Sequence, residues 1–136
     1  HKIYLDKLVI LQKRAVRAIS NCRYRQHTGP LFKDLKIVKV NDMYYLALGV
    51  FMYKHFTNQL PVIFQSYYIT RHNVHAYCTR NANDYQLCNY KTTFASRGVR
   101  SMGPGYWNKL SSVTKNTKNL QTFKVTLKQS MIMSYE

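Results

Sequence analysis

The segment between Asp42 and Thr57 constrains the fold more than any other part of the chain. Tyr44, Leu46, Ala47, Leu48, Val50, Phe51, Tyr53 and Phe56 point to every side of a helical axis. A helix that is apolar all round has no solvent face, so the rest of the chain must enclose it. Asn41 or Asp42 can cap its start and Leu60-Pro61 close it, which predicts a central helix over about 41–57. Gly49 inside that helix costs about 1 kcal/mol against Ala, and predicts a close crossing by another helix at that point.

The remaining elements fit around it. At 136 residues the chain has the length of one domain with a single modest core. The expected class is mainly α with a small β-hairpin element, a compact helical bundle around the central helix. Residues 2–21 read as an amphipathic basic helix, with Leu5, Leu8, Val9, Gln12, Ala15, Val16 and Ile19 in one stripe and Lys7, Lys13, Arg14 and Arg17 opposite. Thr28-Gly29-Pro30 is a helix-start signal for a short helix reaching Leu35, with the Thr hydroxyl as N-cap. Ile37, Val38 and Val40 form an extended link. Pro61 opens a further short helix through about Tyr68, and 71–91 is irregular. Residues 85–90 and 93–101 look extended and would pair as the hairpin, the second run carrying Arg97 and Arg100. Gly103-Pro104-Gly105 should break the chain before a short helix ending at Leu110, and the polar stretch 111–118 reads as a loop. Asn119 caps a last helix lined by Leu120, Phe123, Leu127 and Met131.

Charge narrows the function. Against 21 Lys and Arg stand 5 Asp and Glu, a formal net charge of +16, which makes a polyanion the expected partner. With 46% hydrophobic and 14% aromatic residues, the chain is too rich in apolar surface to be a disordered basic tail. No apolar run approaches the ~20 residues needed to span a bilayer, and no signal-peptide pattern is present. A chain that begins at His is expected to be a piece of something longer. Cys22, Cys78 and Cys88 are an odd, sparse set, better suited to a reducing compartment than to a disulfide scaffold.

The same scarcity of acid disfavours catalysis. Asp6, Asp34, Asp42, Asp84 and Glu136 are spread along the chain, so paired carboxylates for acid–base chemistry or for holding two metal ions are not expected. There is no glycine-rich phosphate loop. His72, His75, Cys78 and Cys88 have the donor chemistry for zinc, but their H-x2-H-x2-C-x9-C spacing matches no common zinc module. The expectation is therefore no metal, no cofactor and no activated Cys/His pair.

Nucleic acid fits the whole pattern better. Lys and Arg neutralise phosphates and release counterions, while aromatic rings stack on unpaired bases at ~1–3 kcal/mol each. Basic and aromatic residues are interleaved at Arg23-Tyr24-Arg25, Tyr77-Cys78-Thr79-Arg80, Tyr90-Lys91 and Tyr106-Trp107-Asn108-Lys109. The first 25 residues alone hold seven Lys and Arg against one Asp. The expected phosphate contacts are Lys13, Arg14, Arg17, Arg23 and Arg25, with Arg80, Arg97 and Arg100 on a second strip. Tyr77 and Trp107 are stacking candidates, and Trp107 has the stronger competing role of a core anchor.

Several blocks also carry a resemblance. Leu11-Gln12-Lys13-Arg14-Ala15-Val16-Arg17, Tyr24-Arg25-Gln26-His27-Thr28-Gly29-Pro30-Leu31-Phe32 and Phe51-Met52-Tyr53-Lys54 form the first group. Leu60-Pro61, His75-Ala76-Tyr77-Cys78-Thr79-Arg80-Asn81, Gly103-Pro104-Gly105-Tyr106-Trp107-Asn108-Lys109-Leu110 and Phe123-Lys124-Val125-Thr126-Leu127-Lys128 form the second. Taken in order, they resemble the region downstream of the polymerase palm in non-LTR (LINE-type) retrotransposon reverse transcriptases of the jockey kind. The resemblance implies a non-catalytic C-terminal segment of an RNA-directed DNA polymerase, with the endonuclease and polymerase domains lying upstream. It implies RNA or DNA as partner, together with the upstream polymerase domain, no membrane, and residence in the nucleus or in a cytoplasmic ribonucleoprotein. The chain departs from the family pattern at Cys78, Gly105 and Ser111-Ser112, as a diverged copy would. The alternatives are a protein-interaction module packing on the polymerase thumb, or a remnant with no selected function.

Overall fold

A computed structural model describes residues 2–74 and 81–135. The chain is mainly helical: α1 (Lys2–Ile19), α2 (Gly29–Asp34), α3 (Val40–Phe56), α4 (Val62–Gln65), a 3-10 turn (Arg71–Asn73), α5 (Thr93–Ser96), α6 (Val99–Lys109), α7 (Ser112–Lys115) and α8 (Leu120–Met133). It packs as two units, one comprising His1–Leu46 with Lys124–Glu136 and the other Ala47–Phe123.

Three helices end in the same way. After α1 the Asn21 backbone turns left-handed at φ 50°, the Cys22 N–H donates to Arg17 O at 3.0 Å, and the Asn21 N–H donates to Ala18 O at 3.2 Å. Lys36 after α2 (φ 53°) and Asn58 after α3 (φ 55°) repeat the pattern, with Ile37 N–H on Phe32 O and Gln59 N–H on Lys54 O. These are Schellman stops, which satisfy the last carbonyls of each helix. Asn adopts the left-handed region readily, whereas Lys does so only at a cost.

In the first unit Val16, Leu31, Phe32, Ile132 and Tyr135 form a buried cluster, flanked by Cys22, Leu35, Ile37 and Val38. Gln12 binds the link between α2 and α3 from both ends: its Nε2 donates to Val38 O at 2.8 Å and its Oε1 accepts from the Val40 N–H at 2.9 Å. The start of α3 is thus satisfied by a side chain of α1. Thr28 precedes α2 without capping it through its hydroxyl. The stripe expected on α1 is narrower than the sequence predicted. Val16 is buried and Val9 and Gln12 are half-buried, while Leu5, Leu8, Ala15 and Ile19 are exposed.

The core of the second unit is aromatic. Tyr53 and Phe123 stack with ring centroids 4.4 Å apart, Phe123 meets Trp107 at 6.1 Å, and Trp107 meets Phe56 at 5.4 Å. Such pairs each add about 0.5–1.5 kcal/mol beyond area burial. The Tyr53 hydroxyl donates to Thr117 O at 2.8 Å. His55 is also buried: its Nδ1 lies 2.9 Å from the Tyr85 hydroxyl and its Nε2 faces Gln65 O. A carbonyl accepts only, so the ring proton sits on Nε2 and the tyrosine donates to Nδ1. Burial pushes the Tyr85 hydroxyl up to about 12. The apolar helix α3 supplies Leu48, Met52 and Tyr53 to the buried set, but Met43, Tyr44, Tyr45 and Phe56 are exposed, so its ends are not enclosed.

The hairpin does not form. Thr93–Ser96 and Val99–Lys109 are helices, and Tyr85 makes an isolated antiparallel bridge to Thr70 instead. The reason is local: the Thr92 hydroxyl accepts from the Ala95 N–H at 3.2 Å and starts α5 where an extended run was expected. Asn108 holds the Tyr85 backbone from both sides, accepting its N–H at 3.0 Å and donating to its carbonyl at 2.9 Å. Gly103-Pro104-Gly105 does not break the chain either, because α6 runs through it. Gly103 is where a close approach occurs: a Cβ there would stand 2.6 Å from Met52 Sδ and 2.9 Å from the Tyr68 hydroxyl. The polar stretch expected as a loop contains α7, capped by Ser111, whose hydroxyl accepts from the Thr114 N–H at 3.3 Å. Asn119 caps α8 as expected, with its Oδ1 2.8 Å from the Thr122 N–H.

Candidate nucleic-acid interface

The basic residues of the first unit are organised by the end of α1. The left-handed turn at Asn21 reverses the chain, and the returning segment is tied to the helix by Arg17, whose Nε donates to Gln26 O at 2.9 Å. The Arg17 guanidinium also lies over the Tyr24 ring at 5.9 Å, a cation–π arrangement that keeps the ring beside the basic helix. Tyr24 remains 72% exposed, so one face of its ring is open to a base or sugar. Arg23 and Arg25 flank it on the same segment, and both are exposed.

Two recesses lie along this surface. Arg14, Arg17, Ala18, Cys22 and Tyr24 line a shallow one of about 400 Å³. Lys13, His27, Lys39 and Asn41 line another of about 210 Å³, together with Gln12 and Thr28. Among the described residues none of Lys13, Arg14, Arg17, Arg23 and Arg25 makes an ion pair; Lys115 and Asp84, at 4.0 Å, belong to the second unit. Charges left without internal counterions are the ones free to neutralise phosphates.

Lys39 is a member that sequence reasoning missed. Its Nζ stands over the Tyr135 ring at 4.0 Å and the Phe32 ring at 5.9 Å, and its backbone N–H donates to the Tyr135 hydroxyl at 3.1 Å. No local pattern joins residues so far apart in sequence. Burial, followed by the nearby Asp42 carboxylate, pushes the Tyr135 hydroxyl up to about 12, against the opposing effect of the Lys39 N–H. Tyr24 and His27 did carry a signal, the alternation of basic and aromatic residues from Arg23 to His27.

The second strip is less complete. Arg97 and Arg100 are exposed in the second unit, at the end of α5 and the start of α6, and Arg100 lies over the Tyr67 ring at 5.3 Å. Arg80 and Tyr77 lie outside the described residues, as do His75 and Cys78 of the considered zinc set; His72 and Cys88 are exposed. Trp107 is corrected: at 3% exposure between Phe56 and Phe123 it is a core anchor, and no base can reach its face.

Among the described residues no three His, Cys, Asp or Glu side chains gather as a metal site, and no helix is long and apolar enough to cross a membrane. Compared with protein-family models, curated proteins and solved structures, the chain finds no match in any of the three.

Proposed function

We propose that this chain is a non-catalytic nucleic-acid-binding segment that holds RNA template or target DNA beside an upstream RNA-directed DNA polymerase of a LINE-type mobile element. The observation that carries the binding reading is the basic surface of the first unit. Lys13, Arg14, Arg23 and Arg25 are exposed around a fixed Arg17, none of them paired to a described carboxylate, with the open Tyr24 ring in their midst. The assignment to a polymerase rests on the sequence blocks that resemble that family.

The contacts available are to phosphate, sugar and base faces, so binding should be strong in aggregate and weakly selective among sequences. Charge reversal tests this. Arg14→Glu combined with Arg25→Glu leaves the buried cluster untouched, since both side chains are exposed. The expected result is weaker binding to unrelated RNA and DNA oligonucleotides by a similar factor for each. Unchanged affinity would remove this surface from the site, and loss for one sequence alone would point to base readout instead.

A further inference from the structure

The outer side of α1 carries a second apolar stripe that the fold leaves uncovered. Tyr4, Leu8, Leu11, Ala15 and Ala18 follow one another at spacings of four, three, four and three, and all five are exposed. Tyr4 is 73%, Leu8 52% and Leu11 57% exposed, while the residues that α1 turns inward are Val9, Gln12 and Val16. The alternation of four and three is the spacing of a coiled-coil seam, in which each apolar side chain enters a hole on a facing helix. Over its 18 residues α1 spans about 27 Å, enough for more than two such repeats. Contiguous apolar surface of this kind on a folded chain marks an interaction site.

The flanks say what kind of helix fits. One edge of the stripe carries Lys7 and Arg14, seven residues apart and therefore at equivalent positions; the other edge carries Leu5, Gln12 and Ile19. An edge position that is basic at each repeat selects a partner with acidic residues opposite it. A second copy of this chain offers the reverse, with the same basic edge and a net charge of +16. We infer that the Tyr4–Leu8–Leu11–Ala15–Ala18 face docks an amphipathic helix of a partner protein whose apolar seam is bordered by Asp or Glu. The inference uses a different side of α1 from the nucleic-acid surface and does not depend on it.

The test uses the whole chain and a labelled synthetic helix of about three heptads, Leu at both seam positions and Glu at both edge positions, with Lys-edged and Gln-edged versions as comparators. Fluorescence anisotropy should show one-to-one binding, at least tenfold tighter for the Glu-edged helix than for the Lys-edged one. Leu8→Glu and Leu11→Gln, each at an exposed position and each checked for unchanged helical circular dichroism, should weaken it at least tenfold while leaving RNA affinity in place. Lys7→Glu should weaken the Glu-edged helix about threefold and leave the Gln-edged one unaffected. Binding that survives Leu8→Glu, equal affinity for the Glu- and Lys-edged helices, or self-association of the chain through this stripe would each overturn the inference.

Discussion

Gly103→Ala and Gly105→Ala place the same methyl group two residues apart in α6, and they are expected to move stability in opposite directions. At Gly103 the new Cβ would lie 2.6 Å from Met52 Sδ and 2.9 Å from the Tyr68 hydroxyl oxygen. Neither neighbour is free to yield: Met52 is fully buried, and Tyr68 is held by its hydrogen bond to Val99 O at 2.9 Å. Pro104 follows directly, so a Cβ at 103 also meets the proline ring in a helical conformation. Overpacking of this kind costs about 1–3 kcal/mol. At Gly105 the nearest atom to the new methyl is Leu87 Cδ2 at 3.9 Å, an ordinary contact, so the substitution gains about 0.5–1 kcal/mol of helix propensity. Thermal unfolding followed by circular dichroism should show Gly103→Ala melting roughly 3–10 °C below the parent chain and Gly105→Ala a few degrees above it. Met52→Ala in the Gly103→Ala background should recover less stability than Met52→Ala alone removes. A Gly103→Ala chain as stable as the parent, or two variants that shift alike, would refute the close approach of α6 to Met52.

Three further outcomes follow from single features. Gln12→Ala should lower stability by about 1–2 kcal/mol in urea titrations, because it leaves Val38 O and the Val40 N–H without their partner; a neutral result would mean that water replaces Gln12 without loss. Lys36→Gly should raise stability by about 1 kcal/mol by relieving the left-handed turn at φ 53°, and destabilisation would show that the Lys36 side chain contributes more than its backbone costs. The Tyr85 hydroxyl is raised from 10.0 to about 12 by burial. The folded state therefore holds this proton more tightly than the unfolded chain, so stability is intact below about 10 and is lost as pH rises from 10 towards 12. Tyr85→Phe should flatten that alkaline slope, and an unchanged slope would assign it to other groups.

How much of this was legible depended on whether the cause was local. The helices α1, α3 and α8 could be read from periodicity and caps: Asn119 caps α8, and the apolar run from Tyr44 to Phe56 is α3. The Gly-Pro-Gly triplet was misread because its meaning is tertiary. It reads as a break in isolation, but Gly103 makes room for Met52, and α6 continues through the proline. The hairpin failed for a related reason, since the Thr92 and Ser111 caps are short-range signals that the polar composition of 92–118 obscured. In the candidate site, Lys13, Arg14, Arg17, Arg23 and Arg25 were visible as charge, whereas the Arg17–Gln26 tie and the Lys39–Tyr135 contact follow from the turn at Asn21 and from the return of the C-terminus. Trp107 and the outer stripe of α1 show the limit of a helical wheel. It counts apolar residues but does not say which of them the fold covers.

The claim that this chain holds nucleic acid through phosphates is tested most directly by the salt dependence of its affinity for a single-stranded RNA. Five contacts, from Lys13, Arg14, Arg17, Arg23 and Arg25, would each contribute about −0.7 to the slope of log K against log salt, so a slope near −3.5 is expected, less negative by about one unit for each of these residues reversed. A slope close to zero, or one that Arg14→Glu and Arg25→Glu leave unchanged, would contradict the account.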